Sequence, residues 1–183
     1  GMGSNLTVGS LRVDNTSATS NHGVTLTSAN TLTLNGNNQY SGSYLTGIVL
    51  AGEEGGSLSV GTGILVKRSQ SWVAARNYSI TGQVTLDGTT LTLRQSAGTA
   101  SISGQIVGNG SIVAESANSL ISLSGSNNFS GGTSVNQGIL QISGSGQLGT
   151  GNIVFGGAAS NGTLRFGTAA HLNAANQLTF NNT

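Results

Sequence analysis

Five acids (Asp14, Glu53, Glu54, Asp87 and Glu115) and two histidines (His22 and His171) are the whole stock of carboxylates and imidazoles in the 183-residue chain. Glycoside hydrolysis needs two carboxyl groups held on either side of the scissile bond. Asp87 falls in the turn Asp87-Gly88-Thr89-Thr90, Glu53 and Glu54 in a glycine-rich loop, and Glu115 in the link from Ile112-Val113 to Leu120. Each is the setting of a solvated surface charge. With serines this abundant, a Ser-His-Asp set can be written in many ways and so singles out none. Gly42-Ser43-Tyr44 and Gly56-Ser57-Leu58 lack the strand-to-helix context of a nucleophile elbow. Gly131-Gly132 is followed by Thr133 with no acid nearby, unlike the repeated Gly-Gly-x-Gly-x-Asp of calcium-binding solenoids. There is no Gly-Lys-Ser/Thr phosphate loop, and the absence of Cys removes disulfides and thiolate-ligated zinc. The expected reading is a chain that is not an enzyme and carries no metal or cofactor.

Binding chemistry is concentrated in one stretch. Lys67, Arg68, Trp72, Arg76 and Tyr78 lie close together, and Trp72 is the only tryptophan. Arg and Trp are enriched in recognition hot spots, and aromatic rings stack on sugars and cations. These five residues are the candidate ligand-binding set. The bland alternative is that Trp72 packs the segment onto the body of the protein while the cations stay in water. The surrounding segment, 44–78, holds Glu53, Glu54, Lys67, Arg68 and Arg76 and a longer apolar run, Gly63-Ile64-Leu65-Val66. It is expected to be an irregular insert or hairpin decorating one continuous domain, 1–183.

What must position these side chains is a set of very short strands. Apolar residues recur two apart, as in Leu32 and Leu34, Val84 and Leu86, Leu91 and Leu93, Leu140 and Ile142, and Ile153 and Phe155. A step of two puts both on one face of a strand. Between the pairs lie turn residues such as Ser124-Gly125-Ser126-Asn127-Asn128 and Asn136-Gln137-Gly138. Only 6% of residues are charged, 4% are aromatic, Pro is absent and glycine numbers 30. The surface must therefore be built from hydroxyls and amides. The 36% of hydrophobic residues are too regularly spaced for a disordered polar tract. No segment shows a helical apolar period, and Thr168 to Ala175 offers at most one turn. A net charge of +1 without a basic stripe argues against nucleic acid. No apolar run approaches a membrane-spanning length, so no direct insertion into a membrane is expected of this segment.

Three-residue strands are short for a sandwich but suit a β-solenoid, where each strand pairs with its equivalents one rung away and apolar residues stack in columns. The expected fold is all-β: a single-stranded parallel β-helix with about three short strands per rung, about 20 to 25 residues per coil and no substantial helix. The chain also repeats itself. Leu34, Gly36, Asn38, Tyr40 and Ser41-Gly42 line up with Leu123, Gly125, Asn127, Phe129 and Ser130-Gly131.

The repeat resembles a known family. Leu123, Gly125, Asn127, Phe129, Ser130, Gly131, Gly132, Thr133, Val135, Gly138, Leu140 and Ile142, continued by Leu148-Gly149-Thr150-Gly151, follow the passenger-associated β-strand repeat of autotransporters (type V secretion). The resemblance is close over 100–166, partial before Gly42 and absent from 44–78. It implies a right-handed β-helix exported across the outer membrane to the cell surface or exterior of a Gram-negative bacterium. It also implies that this segment belongs to a longer passenger. The repeat-defining residues would be structural. The leading expectation is a stalk or scaffold. The rivals are an adhesin surface using the 44–78 insert against a host glycan, a host protein or a neighbouring bacterial cell, and, less favoured, a polysaccharide-acting β-helix enzyme. Unpaired rung ends would also allow end-to-end self-association.

Overall fold

The computed structural model describes residues 3–15, 23–36, 38–40, 44–52, 56–144, 147–156, 161–168, 170 and 172–181. Twenty strands and no helix occur among them. The first rungs comprise β1 (Leu6–Val8), β2 (Leu11–Asn15), β3 (Gly23–Leu26), β4 (Thr31–Leu34), β5 (Asn38–Tyr40), β6 (Tyr44–Gly52) and β7 (Ser57–Val60). The central rungs comprise β8 (Gly63–Val66), β9 (Gln70–Ala74), β10 (Tyr78–Ile80), β11 (Val84–Leu86), β12 (Thr90–Gln95), β13 (Thr99–Ile102) and β14 (Ile106–Gly108). The last are β15 (Ser111–Leu123), β16 (Asn128–Phe129), β17 (Thr133–Ile142), β18 (Ile153–Phe155), β19 (Thr163–Phe166) and β20 (Leu178–Phe180).

These strands stack into three faces of a parallel β-solenoid of about six turns. The first face runs β1-β4-β8-β11-β14-β16. The second and third belong to one sheet that turns back through the long strand β15. On the second, β2, β6, β9, β12 and the first part of β15 follow one another. On the third, β3, β7, β10 and β13 lead to the last part of β15. β17 repeats the bend of β15 and pairs with β18 from one part and β19 from the other. In the central rungs, contacts between neighbouring turns join residues 20 to 22 apart. That repeat sits inside the expected coil length.

Period-two alternation explains why each strand forms. In β12 the pattern Thr-Leu-Thr-Leu-Arg-Gln alternates half-buried and buried residues, and β4, β8 and β13 do the same. Register then stacks like on like. Leu26, Val60, Ile80, Ile102, Leu123 and Ile142 form one column of the third face. From Val60 to Ile142 that column has no solvent exposure. Burying side chains of this kind contributes roughly 1.5–3 kcal/mol each, and here every contribution is shared with the rungs above and below.

One expectation needs correction, and one sequence repeat takes two different places in the fold. Segment 44–78 is not an irregular insert: β6, β7, β8, β9 and β10 all lie in the parallel ladders, because their apolar residues keep the two-residue step of the columns they extend. The departure from parallel pairing is shorter and earlier. β5 pairs antiparallel with the start of β6, Asn38 opposite Thr46 and Tyr40 opposite Tyr44. The internal repeat is also one face out of phase. Leu123 stands in the column of Leu26, on the third face, whereas Leu34 lies on the first. The Asn38–Tyr40 string forms the hairpin arm because β4 already occupies the first-face slot of that rung.

Candidate functional site

The five residues of the candidate binding set do not meet on one surface. Trp72 is completely buried and Tyr78 nearly so. In β9 the alternation turns Gln70, Trp72 and Ala74 inward, and Trp72 is in register with Ile48 and Leu93, both core residues. Tyr78 pairs with Leu58 on one side and Ala100 on the other, so a small residue makes room for the ring. Burial in this apolar interior raises the phenol's pKa well above its ordinary value. Lys67 and Arg68 are exposed beyond the end of β8, and Lys67 pairs with Asp87 one rung on, at 2.5 Å. Arg76 is half-buried and reaches the carbonyl of Ala51 at 3.4 Å. A ligand face made from all five is therefore corrected: its aromatic members are core.

The described acids stand beside cations rather than beside one another. Asp14 accepts from Arg12 at 2.6 Å, Asp87 from Lys67, and Glu115 pairs with Arg94. Glu53, Glu54, His22 and His171 lie outside the described residues. No group of three or more His, Asp or Glu side chains suited to a metal occurs among the described residues.

Arg94 was missed from sequence. It is the direct register partner of Glu115 on the next rung. Their ion pair lies in an open groove of about 240 Å³ lined by Val73, Arg94, Gln95, Ser96, Glu115, Ala117 and Gln137. Arg94 also donates to Ser71 Oγ at 3.2 Å, and Asn136 Nδ2 donates to Glu115 Oε1 at 3.3 Å. The groove is thus floored by a row of side chains that neutralise one another. The signal for it was one rung's spacing between two opposite charges, each following an apolar pair.

Corner side chains do the same work elsewhere. Asn77 Oδ1 accepts from Thr99 N–H at 2.8 Å, Ser69 Oγ from Thr90 N–H at 2.9 Å, and Asn5 Oδ1 from Thr31 N–H at 2.9 Å. Asn127 is the fullest case. Its Oδ1 accepts from Ile106 N–H at 2.9 Å on the preceding rung, while its Nδ2 donates to the Gln147 carbonyl at 2.8 Å on the following one. Strand pairing stops at the corners, and these amides satisfy backbone groups left there.

The repeat-defining residues divide between core and corner. Leu123, Phe129, Val135, Leu140 and Ile142 are fully buried, and Thr133 is nearly so. Gly131 stacks so closely on Gly110 that a Cβ would stand 2.2 Å from the Gly110 carbonyl oxygen. Gly138 adopts φ +74°, and a Cβ there would also strike the Ser116 carbonyl. Gly125 and Gly132 likewise abut backbone, of Gly104 and Asn152 respectively.

A family model described as the passenger-associated-transport-repeat matches residues 24–52 and 122–142. The second match falls inside the stretch whose motifs resemble that repeat. The first runs beyond Gly42 to Gly52, so the resemblance extends into β6, where none was expected. No curated protein and no solved structure matches the chain. These two stretches carry a repeat found in autotransporter passengers.

Proposed function

We propose that this passenger segment is a non-catalytic stalk that holds other parts of its protein away from the cell. One observation carries the reading: polar side chains are used from rung to rung. Asn127 ties three successive rungs, and Lys67–Asp87 and Arg94–Glu115 each tie two. Side chains committed in this way stiffen the stack along its axis. Each described carboxylate has a cationic neighbour, which favours a scaffold over a pair of acids sharing a substrate. The adhesin alternative through 44–78 is weakened because Trp72 and Tyr78 face inward.

The test is deletion by whole and partial rungs in the surface-displayed passenger. Removing Thr99 to Ser119 excises one 21-residue turn and leaves equivalent positions to rejoin, by the register of β12, β13 and β15. The expected outcome is continued display and folding. Removing half that length should abolish both. A surface substitution that leaves folding intact yet removes a specific binding or catalytic activity would overturn the stalk reading.

A further inference from the structure

The wall of the solenoid has a step where the second face turns into the third. Between the ladder positions Arg94 and Thr99 the chain spends four residues, 95–98, and β15 likewise spends four, 116–119, between Glu115 and Leu120. β17 rounds the same corner with Gly138 alone, between Gln137 and Ile139. On the other side of Glu115 it holds one residue too many. Ala114 pairs with Val135 and Glu115 with Gln137, so Asn136 bulges out and turns its amide onto Glu115. Bulges of this kind re-aim side chains and gather beside functional sites. The shortened corner is fixed, because Gly138 adopts φ +74° against the Ser116 carbonyl. The corner of β15 therefore stands proud of the rung that follows, and the open groove of about 240 Å³ lies at that step.

Val73, Arg94, Glu115 and Gln137 are register partners on successive rungs and form the floor of the groove. At the spacing of stacked strands they run roughly 14 Å along the axis. Gln95, Ser96 and Ala117 form its side. Gln95 is 2% exposed, and its amide N–H groups are used, on the carbonyls of Arg76 at 2.7 Å and of Ala97. Its Oε1 has no hydrogen-bond partner, and neither has the hydroxyl of Ser116, its fully buried register partner. Buried polar atoms are nearly always paired, and an orphan calls for a reason. The stalk supplies none, since neither atom ties one rung to the next.

We propose that the step is a binding site for one neutral hexose ring of a larger glycan. Its donors and acceptors select that ligand. Arg94 offers only donors and Glu115 only acceptors, one rung apart in register. A group that accepts from the first while donating to the second is a hydroxyl. Two neighbouring hydroxyls on one ring match the paired atoms of a guanidinium or a carboxylate. Gln137 and Ser96 both donate and accept, and the Gln95 oxygen takes one further donor. The C–H side of the ring has Val73 and Ala117 to rest on. Arg94 and Glu115 cancel in charge, so an anion or a cation would meet one like charge. The volume lies below the range of drug-sized sites. It takes one ring, and the open side lets the rest of the glycan leave. Sugar binding adds to the stalk function and does not rest on it: rung deletion reads the one, ligand saturation the other.

The experiment is saturation-transfer difference NMR of the whole chain with the methyl pyranosides of glucose, galactose and mannose. Glucuronate, glucosamine and trialanine are the comparisons. Ring-proton saturation is expected from at least one methyl hexoside and little from the comparisons. Ala117 is exposed at the rim, so Ala117→Leu should fill the groove and abolish the saturation with the far-UV circular dichroism unchanged. Should it disturb the fold, Ser96→Leu on the same side is the second variant, with the same loss expected. Glu115→Gln leaves Arg94 without its counter-charge. It should shift the preference from the methyl hexoside to glucuronate, which a purely structural pair would not do. Thr85→Ala, outward on the first face, should change nothing. The proposal is overturned if no methyl hexoside is saturated, if saturation survives in the folded rim variants, or if Glu115→Gln leaves the preference unmoved. It is overturned too if trialanine takes the saturation and loses it in Ala117→Leu, since a peptide would then be the occupant.

Discussion

At the scale of single residues, buried amide bridges outweigh surface charge pairs. Asn127 is 2% exposed and satisfies the N–H of Ile106, which is in the core. Asn127→Ala strands that donor away from water, a loss of about 1–3 kcal/mol. Lys67 and Asp87 are about half exposed, so their pair is screened by solvent and Lys67→Ala should cost about 0–1 kcal/mol. Urea denaturation of the two variants should show this ordering, and the reverse would mean that surface charge dominates cohesion between rungs. Tyr78 gives a pH signature. Its folded pKa is raised by desolvation above the unfolded value of about 10, so below that pH both states hold the proton and stability is unaffected. Above it the unfolded chain loses a proton that the folded chain keeps, and stability falls as pH rises. Alkaline unfolding followed by phenolate absorbance should therefore move to higher pH in Tyr78→Phe.

At the scale of elements, the parity of a strand decides what its residues can do. Trp72 lies between charged stretches, Lys67-Arg68 on one side and Arg76 on the other. That neighbourhood is what offered it as a binding candidate, against the alternative that it packs inward. Its place two residues from both Gln70 and Ala74, all inward, puts it in the core column instead. Its fluorescence should be blue-shifted and shielded from acrylamide. Trp72→Ala should cost about 3–5 kcal/mol, as truncation of a buried aromatic does, whereas Arg68→Ala should change stability little. A quencher-accessible Trp72 would contradict the inward parity. Strand existence was legible because Leu32-Thr33-Leu34 or Leu91-Thr92-Leu93 states its own alternation. The rung positions of Asn127, Gly131 and Phe129 were legible through their repeat. Arg94 with Glu115 was not, because that pairing exists only once the register between β12 and β15 is known. Nor was the hairpin of β5 with β6, because the same Asn-rich string that leads into β16 forms an antiparallel arm there.

At the scale of the molecule, stability in such a stack is a sum of rung and nearest-neighbour terms, so it should vary along the axis rather than belong to the whole chain at once. From β7 to β17 each column residue has register partners on both sides, and the core from Leu58 to Ile142 is almost entirely shielded. Towards the termini the columns open: Leu6 is 45% exposed, Phe166 50%, Leu178 48% and Phe180 70%. Phe180 stacks on Phe155 at 4.9 Å, but its other side faces water. Outer rungs should therefore open locally at low cost, while the central rungs open only by breaking two interfaces. Limited proteolysis of the full chain should remove the ends first and leave a resistant fragment containing Ser57 to Ile142, identified by mass spectrometry. Hydrogen exchange should grade in the same order, with Ile80, Ile102 and Leu123 slowest. Early cuts between β7 and β17, at rates equal to those at the ends, would contradict this nearest-neighbour account. They would also remove the physical basis for a stalk, because a stack that opens equally easily everywhere cannot carry a load along its axis.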